Sequence, residues 1–139
     1  MRIIAGAYKG RVLATPQQPG IRPTSDRARE AIFNLLMHGQ YGGEAIRDQR
    51  VADLCCGTGA LGLEALSRGA RSALFVDISA GAIALAKKNA LHCGAMAQAE
   101  FLMADVTALP ATVSPVALVM MDAPYDTPVL EKAYAALRR

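Results

Sequence analysis

The chain has no tryptophan and few aromatic residues of any kind, 5% in all. Leu, Val, Ile and Ala must therefore fill its core. With hydrophobic residues at 53% of 139 positions, there is enough apolar material for one sizeable domain. No apolar run approaches the roughly 20 residues that cross a bilayer, so no membrane role is expected. The opening Met1-Arg2-Ile3-Ile4-Ala5-Gly6 lacks the long apolar stretch of a secretory signal, and the expected location is cytoplasmic. Cysteine is scarce as well. Cys55, Cys56 and Cys93 are odd in number and have no metal-ligand spacing, so they read as small apolar residues, and no metal site is expected. Repeats and low-complexity stretches are absent from the sequence.

The net charge is only +3, but it is unevenly placed. Before residue 38, Arg2, Lys9, Arg11, Arg22, Arg27 and Arg29 face only Asp26 and Glu30. A basic N-terminal arm on a near-neutral body is compatible with a nucleic-acid partner and equally with an ordinary solvated surface.

The chain divides by pattern into an N-terminal arm and helix, residues 1–49, and a core, residues 50–139. Arg2 to Leu13 alternates and carries Gly6 and Gly10, which predicts a short hairpin or an extended arm. Pro16, Pro19, Gly20 and Pro23 then break regular structure. Thr24 or Ser25 can cap a helix whose spacing predicts burial of Ala28, Ile32, Leu35 and Leu36. From Arg50 strands and helices alternate. Strands are predicted at Val51–Cys55, Ala73–Val76, Glu100–Met103 and Val116–Met121, with helices at Ala60–Arg68 and from the Ser79 cap to about His92. The tail from Val129 looks helical. Val116–Met121 is continuously apolar, as in a strand buried on both faces. This cadence means an open parallel α/β sheet with right-handed crossovers.

In such a sheet, ligands lie at the carboxyl ends of the strands. There, Gly57-Thr58-Gly59-Ala60-Leu61-Gly62 fits the G-x-G-x-x-G pattern, and Asp77 ends the second strand, placed to accept hydrogen bonds from two ribose hydroxyls. A nicotinamide dinucleotide site shares these features. Asp53, inside the first strand, favours a cationic ligand such as S-adenosylmethionine over an anionic pyrophosphate. Asp105 ends the third strand as a candidate partner for an adenine amino group, and Val106 offers a backbone N–H.

The fourth strand runs into Asp122-Ala123-Pro124-Tyr125. An exocyclic amine on a purine is a poor nucleophile, because its lone pair is delocalised into the ring. The Asp122 carboxylate and the Ala123 carbonyl can accept its two hydrogens and aim the lone pair. Pro124 would stiffen the turn, and Tyr125 would stack on the base. Methyl transfer is then largely a matter of positioning. The same motif serves an adenine N6 amine, and a non-catalytic binding module also fits the sequence.

Three stretches carry a resemblance: Arg2 to Leu13 (RIIAGAYKGRVL), Ile21 to Leu36 (IRPTSDRAREAIFNLL) and Asp53 to Ala70 (DLCCGTGALGLEALSRGA). Together they resemble the bacterial 16S ribosomal RNA guanine-N2-methyltransferase family over nearly the whole chain. The resemblance implies a Rossmann-like class I fold, S-adenosylmethionine as cofactor, and 16S RNA or the small ribosomal subunit as partner. It places Asp53, Gly57, Thr58, Gly59, Asp77 and Ile78 on cofactor motifs, with Asp105, Val106 and the preceding Thr24. It puts Asp122, Ala123, Pro124 and Tyr125 on the catalytic motif, and Arg2, Lys9, Arg11, Arg22 and Arg27 against RNA phosphates. The family motif reads Asp-Pro-Pro-Tyr. Ala123 replaces its first proline, which keeps the carbonyl and loses rigidity. The family fold also continues with further strands, so the outer edge of the fourth strand is expected to be uncovered, inviting oligomerisation.

Overall fold

A computed structural model of the chain describes residues 1–16, 25–40, 42–110, 113–122 and 128–137. At the N-terminus, Arg2 and Val12 form an antiparallel bridge. Ile3 N–H donates to the Arg11 carbonyl at 3.0 Å and Gly10 N–H to the Ile3 carbonyl at 2.9 Å. The arm is therefore a hairpin, and it anchors itself by burying Ile3 and Leu13.

Helix α1 spans Asp26–His38, and the Ser25 hydroxyl accepts from Ala28 N–H to cap it. Its buried face differs from the expected one. Arg29, Phe33 and Met37 point inward, while Ala28, Ile32 and Leu35 are exposed and Leu36 is half-buried. The reason is a fixed charge partner. Arg29 is fully buried because Nε meets Glu64 Oε1 at 3.3 Å, and its guanidinium also bonds the Arg2 carbonyl. That bond turns the helix by about one residue and brings Phe33 beneath the Arg68 guanidinium, 5.1 Å from the ring centre.

The core alternates as predicted: β1 (Arg50–Leu54), α2 (Ala60–Ser67), β2 (Ser72–Asp77), α3 (Ala80–Cys93), β3 (Ala99–Met103), β4 (Leu118–Met121) and α4 (Val129–Leu137). Ser79 caps α3 by accepting from Ala82 N–H, and Gly94 ends it in the left-handed conformation. The four strands are parallel in the order β3-β2-β1-β4, with Asp53 paired to Phe75 on one side and Met120 on the other. The chain builds outward from β1 to β3, then crosses back to place β4 on the opposite side of β1. That reversal opens a crevice at the carboxyl ends of the strands.

Strand residues alternate between two apolar layers. Val51, Ala73 and Phe75 join the larger cluster, shared with the hairpin, α1, α2 and α3. Ala52, Leu54, Leu74 and Val76 form a smaller one with Val106 and Ala133 of α4. β4 is shorter than expected and is not buried on both faces: Met120 is buried, but Val119 is 38% exposed. Among the described strands it pairs with β1 alone. No helix of the described residues is long and apolar enough to cross a membrane.

Candidate functional site

Because the strands are parallel, all four present their carboxyl ends on one side. A cavity of about 410 Å³ opens there, lined by Cys55, Asp77, Ile78, Asp105, Val106 and Thr107, then by Asp122 and by Pro128, Val129 and Lys132 at the start of α4. Its size lies in the range of small-molecule sites. Five residues expected from sequence, Asp77, Ile78, Asp105, Val106 and Asp122, are thereby brought together.

Each strand-end acid is held in its own way. Asp77 bridges the glycine turn to the next helix: Oδ2 accepts from Gly57 N–H at 3.1 Å and Oδ1 from Ser79 N–H at 3.0 Å. Asp105 Oδ1 takes both the hydroxyl and the N–H of Thr107, at 2.6 and 2.9 Å. Those two bonds, with a smaller contribution from Lys132, hold its carboxyl below the usual range. Ile78, 71% exposed, and Val106, 4% exposed, supply apolar surface between the acids.

The turn between β1 and α2 needs its glycines. Gly57 and Gly59 have φ of +51° and +82°. Gly62 is required for a different reason: a Cβ there would sit 2.3 Å from Phe75 Cε1, so only glycine lets α2 lie this close to the sheet.

Asp53 faces α2 and does not line the cavity. It is 1% exposed, and Oδ2 accepts from Gly62 N–H at 2.9 Å. Burial pushes its carboxyl up to about 8, with the nearby Asp122 and Asp77 charges adding and the Gly62 bond opposing. Burial thus favours its protonated, neutral form. Burial, reinforced by the same acids and Asp105, also raises the Cys55 thiol to about 11. Thr58 is buried and faces the hairpin; its hydroxyl accepts from Ala60 N–H and donates to Met1 Sδ at 3.7 Å.

Of the basic residues, Arg2, Lys9, Arg11 and Arg27 are exposed. Arg11 is partly committed, since Nη1 donates to the His92 carbonyl at 2.8 Å near the end of α3. Arg29, counted in the basic excess, is withdrawn into the core. Arg22, Thr24, Ala123, Pro124 and Tyr125 lie outside the described residues.

Sequence reasoning missed Cys55, Thr107, Pro128, Val129 and Lys132 as cavity residues. Thr107 carried a signal, since an acid followed two positions later by Thr is a common capping pair. Lys132 carried none, because its place depends on how α4 docks.

A family profile described as "Conserved hypothetical protein 95" matches residues 1–139, the whole chain. The chain belongs to this family. Among relatives, ribosomal RNA small subunit methyltransferase D of Haemophilus influenzae is 34% identical over 142 aligned positions, covering 99% of this chain and 70% of that protein. The Escherichia coli K12 protein of the same name is 46% identical over 78 residues, covering 56% of this chain and 36% of that protein. The matched part is thus about a third of the Escherichia coli relative's length. A solved structure described as a candidate methyltransferase, yhhF, from Escherichia coli superposes with a TM-score of 0.81 at 32% identity, covering 99% of this chain and 72% of that one. The fold of this family member is accordingly the Rossmann-like fold of S-adenosylmethionine-dependent methyltransferases.

Proposed function

We propose that this family member is the donor-binding part of a ribosomal RNA methyltransferase, transferring a methyl group from S-adenosylmethionine to the exocyclic N2 amine of a guanine in 16S RNA. The observation that carries this reading is the single cavity into which Asp77, Asp105 and Asp122 converge from successive strand ends. Its chemistry fits the cofactor. Carboxylates suit a ligand bearing an ammonium and a sulfonium, and the apolar Ile78 and Val106 suit a flat adenine between them.

When bound, S-adenosylmethionine supplies an electrophilic methyl group. Asp77 would hold the ribose hydroxyls, and Asp105 with Val106 N–H would hold the adenine edge. Thr24 is assigned to the methionine end, with Gly57 and Gly59 shaping the turn beneath it. Asp53 is assigned to the wall behind the donor, where it holds the Gly62 N–H and with it the start of α2. On the acceptor side, Asp122 and the Ala123 carbonyl would take the amine hydrogens, Pro124 would fix the turn and Tyr125 would stack on the base. The exposed Arg2, Lys9 and Arg27, with Arg11 and Arg22, would contact phosphates of the RNA. A ribosomal substrate implies a cytoplasmic location. The outer side of β4 supports self-association of the chain.

Thermal unfolding with S-adenosylhomocysteine tests the cofactor assignment, since a ligand of the folded state raises the midpoint. Asp77→Ala is expected to reduce that shift. Asp122→Ala is expected to keep it and to abolish transfer of tritiated methyl to deproteinised 16S RNA or small subunits. The opposite pattern would exchange the two roles. A midpoint raised by NAD and not by S-adenosylhomocysteine would overturn the reading, and N6-methyladenine in the product would overturn the choice of base.

A further inference from the structure

We propose that Asn89 is a positioning residue that couples the N-terminal hairpin to the glycine turn, so that RNA held by the hairpin changes the affinity of the cavity for its cofactor. This rests on the functional reading above and adds a regulatory link to it. Asn89 lies on α3 and is 1% exposed. Its Oδ1 accepts from Ala14 N–H at 2.8 Å, and its Nδ2 donates to the Ala14 carbonyl at 3.0 Å. The side chain thus pairs with Ala14 as a neighbouring strand would. The second Nδ2 hydrogen goes to the Thr58 carbonyl at 2.9 Å, inside the glycine turn. Both amide donors are used, each on a different segment.

From Thr58 the bonds run on to the cavity. Two peptide units back along the chain, the Gly57 N–H donates to Asp77 Oδ2, and Asp77 lines the cavity wall. Hydrogen bonds from Ala14 to Asn89 and from Asn89 to Thr58, then the short backbone stretch to Gly57 and its bond to Asp77, thus connect hairpin to site. Thr58 sits between two residues of positive φ, Gly57 and Gly59, and its peptide is held on both sides, the carbonyl by Asn89 and the Gly59 N–H by the Cys56 carbonyl at 2.8 Å. The α3 helix also presses on this turn directly: a Cβ on Gly59 would lie 3.2 Å from Ala86 Cβ. A shift of α3 or of Ala14 must be felt at the turn.

A purely structural anchor would not need this residue. The hairpin is already fastened elsewhere. Glu64 accepts from Ile4 and Ala5 N–H at 2.9 and 3.1 Å, and the Ser67 hydroxyl accepts from Tyr8 N–H at 2.9 Å. Neither of those tethers bonds to the glycine turn. The Thr58 hydroxyl meets Met1 Sδ at 3.7 Å, a weak contact to the start of the arm, and Asn89 is the side chain that bonds both Ala14 and the turn backbone.

Calorimetric titration of S-adenosylhomocysteine, with and without saturating deproteinised 16S RNA, reads the coupling. For the unaltered chain, the dissociation constant should differ by about fivefold or more between the two conditions, as site-to-site coupling commonly does. Asn89→Ala should bring that ratio near one. Ala14→Pro, which removes the N–H at the hairpin end and leaves α3 intact, should do the same and serves if Asn89→Ala does not fold. Ser67→Ala, which loosens the hairpin away from the turn, should preserve the ratio. The proposal falls if the unaltered chain binds both ligands without coupling, if a folded Asn89→Ala retains it, or if Ser67→Ala removes it equally. Failure of the unaltered chain to bind either ligand would instead overturn the functional reading, and this one with it.

Discussion

The two faces of the sheet are built on different principles. On the face covered by α1, α2 and α3, polar side chains are buried and each is bonded, although Arg29 Nη1 itself has no hydrogen-bond partner. Glu64, fully buried, meets Arg29 at 3.3 Å and Arg68 at 2.9 Å while capturing two hairpin N–H groups. Asp53 and Asn89 are buried beside it, each bonded to a backbone group. On the face covered by α4 lie none of the buried polar side chains of the described residues, which are Arg29, Asp53, Thr58, Glu64, Ser67 and Asn89. Directional bonds therefore fix geometry on the first face, and contact area alone does so on the second. The glycine turn belongs to the first face, which is where a ligand site needs fixed geometry.

The strongest way to break this contrast is to remove the polar hub. Glu64→Ala removes the buried one of the two carboxylates on Arg29, leaving only the partly exposed Asp26 at 2.9 Å, takes the partner of Arg68, and strands the Ile4 and Ala5 N–H groups. Breaking a buried pair in this way costs about 3–5 kcal/mol. Urea unfolding at neutral pH should show a loss of that order. A loss under about 1 kcal/mol would mean that the hub is not what orders this face.

Asp53→Asn tests the same face through pH. The folded carboxyl is raised to about 8 against an ordinary value of 3.8. Between those values the folded state holds a proton that the unfolded state has released. Stability from this group is complete below the unfolded value and is lost as pH rises toward the folded one, by at most about 1.4 kcal/mol per pH unit. Asn89 and the apolar face carry no such dependence. Asparagine at 53 can still accept from Gly62 N–H but does not titrate. Melting temperatures between pH 5 and pH 8 should therefore fall for the unaltered chain and run flatter for the variant. Parallel curves would place the titration elsewhere.

The same division explains what could be read from sequence. The strands, the Ser79 cap and the Gly94 stop were legible, because propensity and periodicity are local. So were Asp77, Asp105 and Asp122, since an apolar run ending in an acid marks a strand end facing a crevice. The orientation of α1 was not legible. Its inward stripe of Arg29, Phe33 and Met37 contains a charge, and hydrophobic periodicity rejects a charge in favour of Ile32 and Leu35. Only Glu64, 35 positions away, makes that stripe the buried one. Asn89 was invisible for the same reason. Its partners, Ala14 and Thr58, meet it only after three separate segments have docked.

The smallest effect is expected on the outer side of β4, where neither principle operates. Val119 is 38% exposed, and β4 pairs only with β1 among the described strands. A lysine stem in Val119→Lys can keep much of the apolar contact of this partly exposed position, so stability should change by no more than about 0.5 kcal/mol. Charge on an uncovered strand opposes pairing with another chain. If the chain associates through β4, sedimentation of the variant at equal concentration should shift toward monomer while its melting temperature barely moves. A large fall in melting temperature would instead show that Val119 is covered in solution, and the contrast between the faces would then stop at β1.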